Sequence, residues 1–186
     1  SDVLKQDIPA LVAEKFAGLR PMACANLPYY ITSPILTALL EADCFDSVTV
    51  MVQKEAADRL CATVGTRDAG AVSVAVSYYS EPEVLFSVDR ECFMPSPNVD
   101  SAVIKLNIRS APPIEVEDEE FFFKTVRAGY ALRRKTFANS VSSTLAIPKD
   151  RVIAVLDKLG ISADIRAEKL KMSSLAEISD MLRETL

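Results

Sequence analysis

Asn26-Leu27-Pro28-Tyr29 is the stretch whose residue types and spacing come nearest to a chemical site. The exocyclic amino group of adenine or cytosine is a poor nucleophile, because its lone pair is delocalised into the ring. A protein that alkylates it can set acceptors on the two amino protons. That fixes the nitrogen and opposes the positive charge that develops as it attacks. The Asn26 side-chain oxygen is one such acceptor. The Leu27 carbonyl, held extended by the proline that follows, is a second. Tyr29 can stack on the face of the base. The plain structural alternative is a strand-to-helix loop with an ordinary proline turn.

Two further groups could serve a nucleic acid. Phe93 stands just ahead of Pro95 and Pro97, whose spacing stiffens the connection. It reads either as a core plug or as an aromatic platform for a base. Arg133-Arg134-Lys135 places three adjacent cations between two helices, with Arg127 one or two turns upstream. Together they can neutralise phosphates, or they are a solvated helix end, where cations are favoured. The chain has no histidine, so the commonest general base and the commonest metal ligand are both missing. That speaks against hydrolases built on Ser-His or metal-His sites, and no metal is expected. Cys24, Cys44, Cys61 and Cys92 are widely spaced in apolar surroundings and read as reduced core residues of a cytoplasmic protein.

The elements around these residues follow from the pattern. Met22–Ala25 is a short apolar run and predicts a buried strand. Thr32, Ser33 and Pro34 predict a hydroxyl-capped helix start, with the helix over 34–42. The layout is strand, polar-aromatic loop, helix, and ligands of open α/β sheets sit beyond the carboxyl ends of strands. Asp2–Asp7 reads as the end of a strand and its loop, and 10–17 as a short helix. Ser47–Gln53 is a β-branched run and predicts a buried strand. Helices follow over 54–62, with Glu55 and Arg59 paired at i, i+4, and over 69–79. Strands at 84–88 and 99–108 then pair back on each other. This order is an α/β sheet. Ser110–Val116, with two prolines, is the linker, which sets domains of 1–110 and 111–186. Beyond it everything reads helical: 117–132, 135–145, a helix over 151–159 capped by Asp150 and ended by Gly160, and 174–186 with Leu175, Ile178 and Leu182 on one face.

Composition bounds the class. With 186 residues, 49% hydrophobic and 25% charged, the chain is an ordinary globular one. No apolar run approaches the ~20 residues that span a bilayer. The N-terminus shows no basic region followed by an apolar stretch, so no signal peptide is expected. The net charge of −5 is not that of a general nucleic-acid binder, but residues 111–186 balance 12 cations against 12 anions while 1–110 carry the deficit.

Three separated stretches agree with one family. Asn26-Leu-Pro-Tyr-Tyr-Ile-Thr-Ser-Pro-Ile-Leu36, Phe93-Met-Pro-Ser-Pro-Asn-Val-Asp-Ser-Ala-Val103 and Arg133-Arg-Lys-Thr-Phe-Ala-Asn-Ser140 resemble the KsgA/RsmA family of small-subunit ribosomal RNA adenine N6-dimethyltransferases. Gln53–Leu60 and the tail from Arg166 are similar to it too. The resemblance implies a Rossmann-like S-adenosylmethionine domain followed by a small helical domain. It also implies dimethylation of N6 on two adjacent adenines in a hairpin loop of 16S rRNA, within the assembling small subunit. In that light Asn26 touches the methyl donor and, with Leu27, holds the target N6; Tyr29 and Phe93 sandwich the adenine. Asp2 matches the acid at the adenosine end of the cofactor. The family's Gly-rich cofactor loop would lie before residue 1, so the chain is expected to be a C-terminal part, and activity is expected of the full-length protein. Two alternatives stand beside this: a 23S rRNA methyltransferase of the Erm type, which shares the Asn-x-Pro-Tyr and Phe-x-Pro-x-Pro-x-Val patterns, and a non-catalytic RNA-binding assembly factor. No pattern sets an oligomeric state, and a monomer is the expectation.

Overall fold

The computed structural model describes residues 2–185. The chain divides into two compact units, one running to Cys61 and resuming over Ala75–Pro112, the other comprising Ala62–Val74 and the chain from Pro113 on.

The first unit carries α1 (Ile8–Lys15), β1 (Met22–Asn26), α2 (Thr32–Glu41), β2 (Ser47–Gln53), α3 (Lys54–Leu60), most of α4 (Ala71–Tyr79), β3 (Ser80–Val88) and β4 (Ser101–Ile108). Its four strands form one sheet in the order β1-β2-β4-β3. β1 runs parallel to β2, and β4 is antiparallel to both of its neighbours. Alternation along β2 and β4 sends Val48, Val50, Val52, Ala102, Ile104 and Leu106 to full burial. The register sets Val48 against Leu106, Val50 against Ile104 and Val52 against Ala102, so the branched side chains of one strand face their counterparts on the next. α2 supplies Leu36, Leu39 and Leu40 to the core, and α3 supplies Ala57 and Leu60. The Glu55–Arg59 pair forms as expected, at 3.4 Å.

Several local expectations change. β1 forms over the expected residues but is not buried. It is an edge strand in this sheet, with Met22 71% exposed and Cys24 and Asn26 also open, while Ala23 and Ala25 are half-buried. An apolar run of this length cannot distinguish a central strand from an edge one. The cysteines are not core residues: Cys24 and Cys92 are exposed, Cys44 and Cys61 half-buried, and all are free. Cys24 falls on the open side of the β1 alternation, and Cys92 sits in a 3₁₀ turn. Burial, reinforced by Asp58, pushes the Cys61 thiol up to about 11. Residues 3–5 are a 3₁₀ turn rather than a strand end, capped by the Asp2 carboxylate. Thr32 does not cap α2. A 3₁₀ turn over Tyr29–Ile31 leads into the helix, and the Thr32 hydroxyl donates back to the Pro28 carbonyl at 3.1 Å.

The second unit is helical apart from its loops: α5 (Glu119–Ala131), α6 (Phe137–Leu145), α7 (Lys149–Lys158) and α8 (Met172–Arg183). α5 packs on α6 and α8, and α7 joins α6 and α8. Phe122, Val126, Phe137, Val141, Leu156, Leu175, Ile178 and Leu182 are fully buried and form its core. Asp118 caps α5 by accepting from the Phe121 N–H, and Thr136 caps α6 by accepting from Asn139. Pro148, not Asp150, is the cap of α7. Asp150 lies in the first turn, where its charge still suits the helix dipole. Gly160 follows with φ +67°, a left-handed conformation that glycine enters without a Cβ penalty. The segment 62–74 joins this unit through Gly65, which lies against Leu170 and Lys171 with φ +93°.

Candidate active site

The end of β1 builds one wall of a cavity. Asn26 pairs in register with Met51, and Leu27 carries the ladder one step on, its N–H donating to the Met51 carbonyl at 3.2 Å. Leu27 is only 4% exposed, so its side chain anchors the turn in the core. Pro28 is extended, and its carbonyl accepts from both the Ile31 N–H and the Thr32 hydroxyl. The chain thus leaves the strand and enters α2 within a few residues. The Asn26 side-chain amide and the Leu27 carbonyl accept or donate no hydrogen bond among the described residues. Two acceptors that folding does not consume therefore stand side by side at the carboxyl end of a strand.

The loop between β3 and β4 builds the other wall. Asp89 caps a 3₁₀ turn over Arg90–Cys92, its carboxylate accepting from the Glu91 N–H at 2.8 Å. The Asp100 carboxylate accepts from the Arg90 N–H, and the Ser96 hydroxyl donates to the Arg90 carbonyl at 2.9 Å. These bonds close the loop on itself and hold Phe93, half-buried, with Pro95 and Pro97 behind it. Phe93 is not a core plug: with Asn26, Leu27, Pro28, Tyr29 and the two prolines it lines a cavity of about 320 Å³. That volume is the lower end of the range for small-ligand sites. The Tyr29 and Ser101 hydroxyls are hydrogen-bonded at 2.8 Å across the two walls.

Asp2 is exposed, and one of its carboxylate oxygens accepts from the Leu4 N–H; it is not among the residues lining this cavity. Arg133, Arg134 and Lys135 lie in the exposed turn between α5 and α6, in the second unit, and Arg127 is exposed on α5. None of the four forms an ion pair among the described residues. No cluster of metal-ligating side chains occurs among the described residues, and no helix among them is long and apolar enough to cross a membrane. Sequence reasoning missed Ser96, Asp100 and Ser101. Ser101 and Tyr29 are 72 residues apart, and no short-range pattern joins them.

The family model for ribosomal RNA adenine dimethylase matches residues 1–184. The small-subunit rRNA methyltransferase A of Geobacillus thermodenitrificans is 49% identical over 186 residues, covering 97% of this chain and 64% of the relative. Its counterpart from Lachnoclostridium phytofermentans is 43% identical over 188 residues, covering 100% of this chain and 65% of the relative. The chain thus spans a little under two thirds of the length of these curated relatives. Among solved structures, a dimethyladenosine transferase from Plasmodium falciparum superposes with a TM-score of 0.74 at 22% identity, covering 96% of this chain and 69% of that one. The 23S rRNA methyltransferase ErmE superposes with a TM-score of 0.61 at 25% identity, covering 91% and 70%. The fold is that of the Rossmann-like methyltransferases, and the chain belongs to the ribosomal RNA adenine dimethylase family.

Proposed function

We propose that the protein dimethylates N6 of two adjacent adenines in a 16S rRNA hairpin loop, in the cytoplasm, on the assembling small subunit. The observation that carries this reading is the pairing of two uncommitted acceptors, Asn26 and Leu27, with the two aromatic rings of Tyr29 and Phe93 in one cavity. Tyr29 and Phe93 hold the adenine by its faces. The Asn26 side-chain oxygen and the Leu27 carbonyl accept from its amino group. The Leu27 carbonyl is set on an ordered backbone, so it opposes the developing charge without having to reorganise during the reaction. The cavity offers no dedicated base, and the proton leaves to water after the nitrogen has become cationic.

The methyl donor is S-adenosylmethionine. When bound, it supplies an electrophilic methyl group. The residues present suit it. The Asn26 amide has a donor end as well as an acceptor end, and neither is used by the fold. One carboxylate oxygen of Asp2 is uncommitted among the described residues. Asn26 and Asp2 are therefore assigned to the donor, and Arg127, Arg133, Arg134 and Lys135 to the RNA backbone.

The test is transfer of labelled methyl from S-adenosylmethionine to under-methylated small subunits by the full-length protein. Label on N6-dimethyladenine of 16S rRNA is the expected result. Label on 23S rRNA would support the Erm-type alternative, which the likeness to ErmE keeps in view. Binding to the particle without any methyl transfer would support a non-catalytic assembly factor.

A further inference from the structure

We propose that Ser101 is a positioning residue that sets the width of the adenine slot by holding the Tyr29 ring; this rests on the adenine reading of the cavity given above. The Tyr29 and Ser101 hydroxyls lie 2.8 Å apart. Ser101 is fully buried and is the first residue of β4. Its backbone is held on both sides, paired with Gln53 of β2 and Val88 of β3. The residue before it is fixed as well: the Asp100 carbonyl accepts from the Lys54 N–H at 3.0 Å, and its carboxylate accepts from the Arg90 N–H.

Ser101 therefore ends the loop that carries Phe93 and, through its side chain, grips the ring on the opposite wall. Tyr29 is 36% exposed and rides on a 3₁₀ turn, so its ring would otherwise be free to swing about its side-chain torsions. Tyr29 is also the only hydrogen-bond partner of the Ser101 hydroxyl among the described residues. A buried serine ordinarily satisfies its hydroxyl on nearby backbone. Here the hydroxyl is directed instead at the aromatic residue of the cavity. One hydrogen bond thus couples the two walls and fixes where the Tyr29 ring stands relative to the wall that carries Phe93. Geometry of this kind acts on the reacting complex more than on capture of the RNA, which phosphate contacts dominate.

The experiment compares full-length wild type with Ser101→Ala, Tyr29→Phe, the double variant and Ser101→Thr. The substrate is the under-methylated small subunit, reconstituted with 16S rRNA that carries adenine, or 2-aminopurine, at the target position. Quenching of 2-aminopurine reads stacking in the slot, and steady-state kinetics separate kcat from KM. Ser101→Ala and Tyr29→Phe should each lower kcat by about 3- to 10-fold, the equivalent of one net hydrogen bond, with KM for the RNA little changed. The double variant should fall no further than either single one, and Ser101→Thr should keep both kcat and quenching. Should Ser101→Ala fail to fold, Tyr29→Phe at the exposed end of the bond carries the same comparison. Single losses that multiply in the double variant, or a drop in melting temperature with kcat and quenching intact, overturn the positioning role while leaving the adenine reading standing. A wild-type protein that neither quenches 2-aminopurine nor methylates adenine overturns the adenine reading itself.

Discussion

Gly129 on α5 and Phe137 on α6 touch so closely that a Cβ built on the glycine would run into the phenyl Cε2. The ring is fully buried and the glycine lies in mid-helix. Glycine there costs helix stability, and the close approach of the two helices offsets it. Gly129→Ala should therefore destabilise the helical unit, although alanine is the better helix former. A loss of about 1–3 kcal/mol is expected, the usual cost of overpacking. Urea unfolding followed by circular dichroism measures it. Gly129→Ala combined with Phe137→Leu should lose less than the sum of the two single changes, because the smaller side chain makes room for the methyl.

Removing the Asn26 side chain should abolish most of the activity without unfolding anything. The Asn26 side chain is exposed in this chain and makes no hydrogen bond among the described residues. The expected fall in kcat for full-length Asn26→Ala is about 100- to 1000-fold, the scale seen when one preorganised group facing a developing charge is removed. Methyl incorporation into under-methylated small subunits gives the rate, and thermal unfolding should show an unchanged midpoint. A comparable loss of stability would mean that the amide serves the fold.

What the residues disclosed, and what they concealed, follows from the range of each signal. The element order was legible because it rests on local periodicity: β2 at Ser47–Gln53 and the Leu175, Ile178, Leu182 face of α8 need no information from elsewhere in the chain. The Asn26–Tyr29 and Phe93–Pro97 stretches were legible as chemistry, and they do meet in one cavity. The apolar run of β1 carried no signal of its exposure by itself, since that depends on which strands flank it. Nor was the attachment of 62–74 to the helical unit legible, since it depends on Gly65 meeting Leu170 and Lys171 about a hundred residues away in sequence. Ser101 was hidden for the same reason: its role lies in a partner on another element.

Arg133, Arg134 and Lys135 occupy an exposed turn with no anionic partner among the described residues, an arrangement that leaves all three charges free to meet phosphates. Replacing all three by alanine in the full-length protein should weaken particle binding and flatten its salt dependence. The slope of log affinity against log salt should change by about 0.9 for each duplex phosphate that is no longer neutralised, and by about 0.7 for single strands. Filter binding across a salt series gives the slope. An unchanged slope would return the triplet to the role of a solvated helix end.

Tyr130 yields a prediction about stability at high pH. Burial, reinforced by the nearby Glu168 carboxylate, pushes its phenol up from 10 to about 12. Its hydroxyl is buried and has no hydrogen-bond partner among the described residues. In the unfolded chain the phenol ionises near its ordinary value of about 10. Above that pH the unfolded state sheds a proton that the folded state retains, so the unfolded state binds fewer protons and stability falls as pH rises. The contribution is whole below about 10 and is lost progressively as the pH rises toward the folded value near 12. Tyr130→Phe removes both the ionisation and the unsatisfied hydroxyl. At pH 7 it should be neutral or stabilising by about 1 kcal/mol, because a buried polar atom without a partner carries its desolvation cost unrepaid. Between pH 10 and 12 the variant should lose stability less steeply than wild type. Urea midpoints collected across that range decide it: parallel curves for the two proteins would mean that the Tyr130 phenol titrates alike in the folded and unfolded chain.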